Sequence, residues 1–198
     1  MFGDLHIHMI LDGVYYRAAI DAQKEHPLDG LVRARLSDYQ ARGVCLLRDG
    51  GDAWGVSLRA RELAGEYGID YRSPAFPIYR RGHYGAFIGR GFDTEDEYRA
   101  LLDEAGEKRA DFIKLMISGL IDFDHFGVLT EPGPEPQDIR RMIELAHAAG
   151  FAVMAHANGD RAVTAALQAG VDSIEHGAKM DEETIRLYKE RGAFVCTT

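Results

Sequence analysis

The feature that most narrows what this chain can fold into is an alternation, kept up from end to end, of short apolar runs with longer amphipathic stretches. Strands are predicted at 4–8 (DLHIH), 43–48 (GVCLLR), 71–78 (YRSPAFPI), 111–116 (DFIKLM), 151–156 (FAVMAH), 172–176 (DSIEH) and 193–198 (AFVCTT). Helical periodicity lies between them. TEDEYRALLDEA opens with Thr94 and Glu97 at capping-box spacing and puts Tyr98, Leu101, Leu102 and Ala105 on one face. PQDIRRMIELAHAAG lines up Ile139, Met142, Ile143 and Ala146 and stops at Gly150, and a third helix runs from a capping Asp181 to Gly192. Strand and helix in strict alternation build parallel β-α units, so the expectation is an α/β fold.

Composition sets the remaining bounds. The chain of 198 residues, 46% hydrophobic and 28% charged, is long enough for one sizeable core, and no linker divides it, so residues 1–198 read as a single domain. A net charge of -9, with no dense cluster of Lys and Arg, argues against a nucleic-acid partner. No apolar run approaches the roughly 20 residues that span a bilayer, and the N-terminus lacks a signal-peptide pattern. Cys45 and Cys196 sit in apolar runs and are expected as buried free thiols of a reducing, cytoplasmic compartment.

The histidines carry the chemistry. His6 and His8 are two apart at the end of the first strand, so alternation turns both to one side. His156 and His176 each end a strand, and Lys114 stands inside the fourth, where an unpaired ammonium is costly. In a parallel sheet all strand ends of one kind share a face, so these five residues can converge from distant positions. Converging neutral imidazoles suit a divalent metal such as zinc. A desolvated lysine amine can take up carbon dioxide to become an anionic carbamate able to bridge two ions. Each signal has a plainer reading by itself: a buried histidine is usually a hydrogen-bonded core residue, and a strand-end lysine usually snorkels to solvent. Together they favour the metal.

Other residues are weaker candidates. Arg48, ending the second strand beside Asp49, is expected either to bind a substrate carboxylate or to form a structural ion pair. His83 and His125 lie in loops after strands, where substrate contact and plain surface placement are both open. Asp4, in step with the two histidines, is placed to orient an imidazole. His26 reads as exposed and His147 as structural.

The segments DLHIH, FIKLM, VMAHANGDRAV and SIEHG resemble, in kind, order and spacing, the amidohydrolase superfamily of metal-dependent hydrolases. AHANGDRAVTAALQAGVDSIEHG is the most specific piece and looks like the subgroup of imidazolonepropionase and the Xaa-Pro dipeptidase-like enzymes. The resemblance implies a TIM-type (β/α)8 barrel in which His6 and His8 bind one metal and His156 and His176 another, with carbamylated Lys114 between them. It also implies hydrolysis, by a metal-bound hydroxide, of an amide or other C–N bond in a cyclic amide, N-acyl amino acid or dipeptide. The family's last ligand and general base, an aspartate ending strand eight, has no counterpart among the seven strands counted here. The expectation is therefore a barrel truncated after its seventh strand, with open edges that favour self-association. Two other functions stay open: a non-catalytic barrel relative acting as an assembly or binding module, and a phosphoesterase of the polymerase-and-histidinol-phosphatase type. That second group also begins with His-x-His but does not need Lys114.

Overall fold

The computed structural model describes residues 2–178 and 180–198. Among the described residues nine strands and seven α-helices follow one another: β1 (Phe2–Ile7), α1 (Tyr16–Asp21), α2 (Asp29–Ala41), β2 (Val44–Asp49), α3 (Val56–Ala64), β3 (Asp70–Arg72), β4 (Pro77–Arg80), β5 (Arg90–Phe92), α4 (Glu95–Glu107), β6 (Ile113–Met116), α5 (Pro136–Ala148), β7 (Val153–Ala157), α6 (Asp160–Gln168), β8 (Ser173–His176), α7 (Glu182–Arg191) and β9 (Phe194–Cys196). Every ladder is parallel. One sheet has the order β1-β2-β3 and the other β5-β4-β6-β7-β8-β9. The expected α/β architecture stands. The parallel strands carry the order and the crossover helices of barrel units, but the described residues form two ladders and not one closed ring.

The break between the two ladders falls where a single strand was expected. YRSPAFPI splits into β3, which pairs with β2, and β4, which pairs with β6. Pro74 has no N–H to give a ladder, and Ala75 adopts φ +65. The bend is held by the Ser73 N–H donating to Asp111 Oδ2 (2.8 Å) and by the Ala75 N–H donating to Ser73 Oγ (3.0 Å). β5 escapes sequence patterning because it is only Arg-Gly-Phe. Gly91 lets it lie against β4, since a Cβ there would stand 2.7 Å from Tyr79 Cζ.

The helices form as their periodicity dictates. Thr94 Oγ1 accepts the Glu97 N–H at the start of α4, and Glu97 reaches back to the Asp93 N–H, one residue beyond the standard reciprocal bond to the N-cap. Tyr98, Leu101, Leu102 and Ala105 are all buried, as are Ile139, Met142, Ile143 and Ala146 of α5. Tyr98, at 1% exposure, donates its hydroxyl to the Met142 carbonyl and so ties the two helices together. Two apolar clusters result. Residues of β4, β6, β7 and β8 pack with α4, α5 and α6, and residues of β1, β2 and β3 pack with α2 and α3. Cys45 and Cys196 are free as expected, but both are half-buried instead of buried; Cys196 lies in β9, the edge strand of its sheet.

Gly170 follows α6 at φ +81 and turns the chain into β8. A Cβ there would meet nothing within 4 Å, so the cost of a side chain is that of the backbone alone. Gly170→Ala is therefore expected to lower stability by about 1–2 kcal/mol with no change in fold, measured by urea denaturation. A neutral result would show that α6 ends without that left-handed residue.

Candidate functional site

All the strands present their C-terminal ends on one face, and the five predicted ligands lie at or near it. His6 is in β1 and His8 follows its last residue, His156 is in β7, His176 ends β8, and Lys114 is in β6. Register brings the last strands into step: Met116 is opposite His156, and Ala157 opposite His176. The imidazoles touch in sequence. Ring centroids are 5.6 Å apart for His8–His6, 4.9 Å for His6–His176 and 4.6 Å for His176–His156. Histidines from the two separate ladders are thus brought together across the interior.

Each imidazole has one ring nitrogen tied to the protein. His6 Nδ1 lies 2.7 Å from Glu175 Oε2, and His8 Nδ1 lies 3.0 Å from the Gly51 carbonyl. His156 Nε2 is 3.3 Å from the Gly119 carbonyl, and His176 Nδ1 is 2.5 Å from Thr198 Oγ1. A carbonyl or carboxylate oxygen can only accept, so on His6, His8 and His156 the tied nitrogen carries the proton. The other nitrogen is left with a free lone pair, the tautomer a metal ligand needs. Burial, reinforced by the Lys114 charge, lowers His6 and His8 to about 4, and burial with His6 and Lys114 nearby does the same to His176. His156, buried beside Lys114, is pushed well below the ordinary histidine range.

Lys114 is 1% exposed and its Nζ has no hydrogen-bond partner. Burial brings its pKa down to about 8, against the opposing pull of Glu175. An orphaned, readily neutralised amine beside four imidazoles fits a metal and carbamate site in its donor chemistry. Among the described residues, however, no three histidine, cysteine or carboxylate side chains already surround one point as a preformed cation site. The ring contacts run as a row, with no single centre.

The residue that organises this row was not singled out from sequence. Glu175, fully buried in β8, accepts from His6, from Arg48 Nη2 (2.7 Å) and from Ser173 Oγ (2.5 Å). Burial alone would raise its pKa, but the His6 hydrogen bond, the Lys114 charge, Ser173 and Arg48 together hold it at about 2. The signal was an acidic residue facing inward from an otherwise apolar strand, next to a candidate ligand. Asp4 does not fill this role: its Oδ1 accepts from the backbone N–H of His6 (3.3 Å), not from an imidazole. Arg48 is committed to Glu175, to Ser173 Oγ (3.1 Å) and to the Leu5 carbonyl (2.7 Å), the ion-pair alternative. Asp49 is buried too, and accepts from the N–H groups of Met9 (3.0 Å) and Gly51 (2.6 Å) and from the Tyr71 hydroxyl.

Gly50 explains the RDGG ending of β2. A Cβ there would lie 2.4 Å from His8 Cε1, so only glycine leaves room for the ring. A second hub lies across the site at Glu131. Its carboxylate accepts from the N–H groups of Tyr84 (3.0 Å) and Gly133 (2.8 Å) and pairs with His83 Nδ1 (3.0 Å). Its backbone carbonyl holds the Gly119 N–H (3.0 Å), and the Gly119 carbonyl in turn orients His156. His83 thus belongs to the loop beside the histidine row, while His125 is exposed on the 118–135 loop, paired with Asp122 at 3.2 Å. His147, as expected, is structural, bonded to Asp172 at 2.9 Å.

Comparison with known proteins follows the same lines. The model of the amidohydrolase family matches residues 57–198. The ochratoxinase of Aspergillus niger is 29% identical over 160 residues, covering 79% of this chain and 31% of that protein. A prolidase crystallised with N-methylphosphonate-L-proline superposes with a TM-score of 0.77 at 26% identity, over all of this chain and 52% of that one. A Xaa-Pro dipeptidase with methionine in its active site gives a TM-score of 0.71 at 20% identity, over 98% of this chain and 52% of that one, a likeness of fold. The chain spans about a third of the curated relative (31%) and about half (52%) of these solved structures. No helix among the described residues is long and apolar enough to cross a membrane.

The lowered histidines make stability depend on pH. Between about 6.5 and about 4, the unfolded chain binds protons at His6, His8 and His176 that the folded chain refuses. The metal-free protein is therefore expected to lose stability as pH falls through that window, by about 1.4 kcal/mol per pH unit for each such proton. Urea melts at pH 7, 6, 5 and 4.5 measure the slope, and His176→Gln should make it shallower. A slope unchanged by that substitution would contradict the assignment.

Proposed function

The chain belongs to the amidohydrolase family, and from that premise we propose that it hydrolyses the amide bond of an N-acyl amino acid or dipeptide with a divalent metal, zinc first, held by His6, His8, Lys114, His156 and His176. The observation that carries this reading is the pairing of four singly tied imidazoles with the unpartnered amine of Lys114. The prolidase crystallised with N-methylphosphonate-L-proline, 26% identical, supports a dipeptide-like substrate. When bound, a divalent cation polarises a carbonyl and lowers the pKa of water.

The chain's own residues do the rest. Glu175 keeps the His6 proton at Nδ1 and fixes the ring, while the Gly51 carbonyl does the same for His8. Gly119, positioned by Glu131, aims His156. The neutral amine of Lys114 adds to carbon dioxide with formation of an N–C bond and release of a proton, which replaces an unsatisfied donor with an anionic ligand. A cavity of about 670 Å³ along β1, lined in part by His6, His8 and Asp12, admits solvent to the first two histidines.

Expression with zinc and bicarbonate, followed by elemental mass spectrometry and a panel of N-acyl amino acids and dipeptides, tests the reading. Bound metal with metal-dependent release of amino acid is the expected result, and His6→Ala with His8→Ala should abolish both. Metal and turnover that persist in the double variant would overturn it.

Lys114 offers a separate check. Lys114→Met exchanges an unpartnered buried ammonium for an apolar chain of similar length. It is expected to stabilise the metal-free protein by about 1–3 kcal/mol while lowering activity at least a hundredfold. A loss of stability with activity retained would show that the amine serves the fold.

A further inference from the structure

Two phenylalanines of the loop after β6 stand almost wholly in water. Phe123 is 97% exposed and Phe126 98%, with Leu120 and Val128 exposed beside them. A single exposed apolar side chain is ordinary on any protein, but a cluster of them on one tip marks a contact surface. The tip is also built to hold its shape. Ile121 and Leu129 form an antiparallel bridge at its base, and the Asp122 N–H donates to the Val128 carbonyl (2.8 Å). Asp122 Oδ1 in turn accepts the N–H groups of Asp124 (2.8 Å) and His125 (3.1 Å). Asp124 stands between the two rings in sequence. His125 pairs with Asp122 (3.2 Å), and among the described residues no cation pairs with Asp124.

A matching hollow lies on the same face. Tyr16, Ile20, Trp54 and Phe87 floor a cleft of about 410 Å³, with Tyr16 edge to face against Phe87 at 5.9 Å. Its rim carries Arg17, Asp21 and Lys24, of which Lys24 pairs with Asp21 at 3.0 Å. Arg17 is the surplus charge: it donates to the Tyr16 hydroxyl (3.0 Å), and no carboxylate pairs with it among the described residues. The cleft residues follow β1, β2 and β4 and the phenylalanine tip follows β6, so both lie where the strands present their C-terminal ends. Within one molecule the tip does not enter the cleft, since both of its phenylalanines stay bare.

We propose that the occupant of this cleft is the tip, Phe123 to Phe126, of a second copy of the chain. Because tip and cleft share a face, a twofold axis lets each copy's tip enter the other's cleft, and every contact is made twice. The chemistry matches in the centre and at the rim. Phenylalanine rings meet a floor of aromatic rings, the composition that interface cores favour. At the rim the surplus anion of the tip, Asp124, meets the surplus cation of the cleft, Arg17, and such a pair fixes the register of docking. A tip already held in shape gives up little freedom when it docks. This surface is separate from the open edges at β1 and β9, and it does not depend on the metal or hydrolase reading.

Sedimentation velocity of the full chain across the micromolar range tests this. The expected species is a dimer that dissociates on dilution. Trp54, the single tryptophan, lines the cleft, so its fluorescence should shift to the blue as the dimer forms. Phe123→Ser with Phe126→Ser, at two positions that bury nothing in the monomer, should leave a monomer with an unchanged circular dichroism spectrum. Arg17→Asp and Asp124→Arg should each weaken self-association at least about tenfold, because like charges then meet at both contacts. Mixed together, those two variants should form a heterodimer of near-parental affinity. In that mixture the two reversed charges face each other at one contact, and the parental pair is kept at the other. A chain that stays monomeric throughout, its tip left for its own cleft or a different partner, overturns the proposal. So does a dimer that survives the loss of both phenylalanines, which would place the contact at the strand edges. A mixture of the two charge variants that associates no better than either alone overturns it as well.

Discussion

The carboxylate of Glu175 is the interaction on which the rest of this molecule turns. It is a fully buried charge, and such a charge is tolerated only when its lone pairs are filled. Here they are filled from three strands: His6 of β1, Arg48 of β2 and Ser173 of its own β8. Since β1 and β2 belong to one ladder and β8 to the other, the contact fastens two sheets that share no backbone hydrogen bond. The same atom that pins the fold also fixes the tautomer of a candidate ligand. Structure and chemistry are therefore coupled at one residue, and a change there would be felt in both.

Lys114 is the counterpart to that satisfied charge. The protein brings three donors to the Glu175 carboxylate but leaves the Lys114 amine with no partner. A buried group left unsatisfied works against folding, and sites of this kind are where function sets the terms. The hub at Glu131 plays the supporting part on the far side of the site. Through one carboxylate and one carbonyl it joins the loop that carries Tyr84 to the loop whose Gly119 orients His156. The loop that carries Tyr84 and the strand that carries His156 are thus held as one unit.

Much of this was legible in the chain itself. Period-2 and period-3.6 patterning marked the strands and helices because those periods are what buries one face of each element. Tyr98, Leu101, Leu102 and Ala105 turned inward for that reason. The five candidate ligands were visible because imidazole and ammonium groups are conspicuous in apolar strands. What stayed hidden depended on partners distant in sequence. Arg48 could be read as a carboxylate binder or as half of an ion pair, and only the approach of β8 decided for the pair. Asp4 was in step with the histidines, yet its carboxylate turned to the backbone.

The sequence by itself determined the parallel α/β class, the face on which the histidines emerge and the family, because local periodicity and residue type suffice for these. Only the tertiary structure decided where the third strand breaks, which carboxylate orients His6 and which rings stand against His156. Each of these depends on a contact made across tens of residues: Ser73 with Asp111, Glu175 with His6, Tyr84 with His156. No local pattern encodes such pairs, because the geometry that joins them exists only once the two ladders have packed.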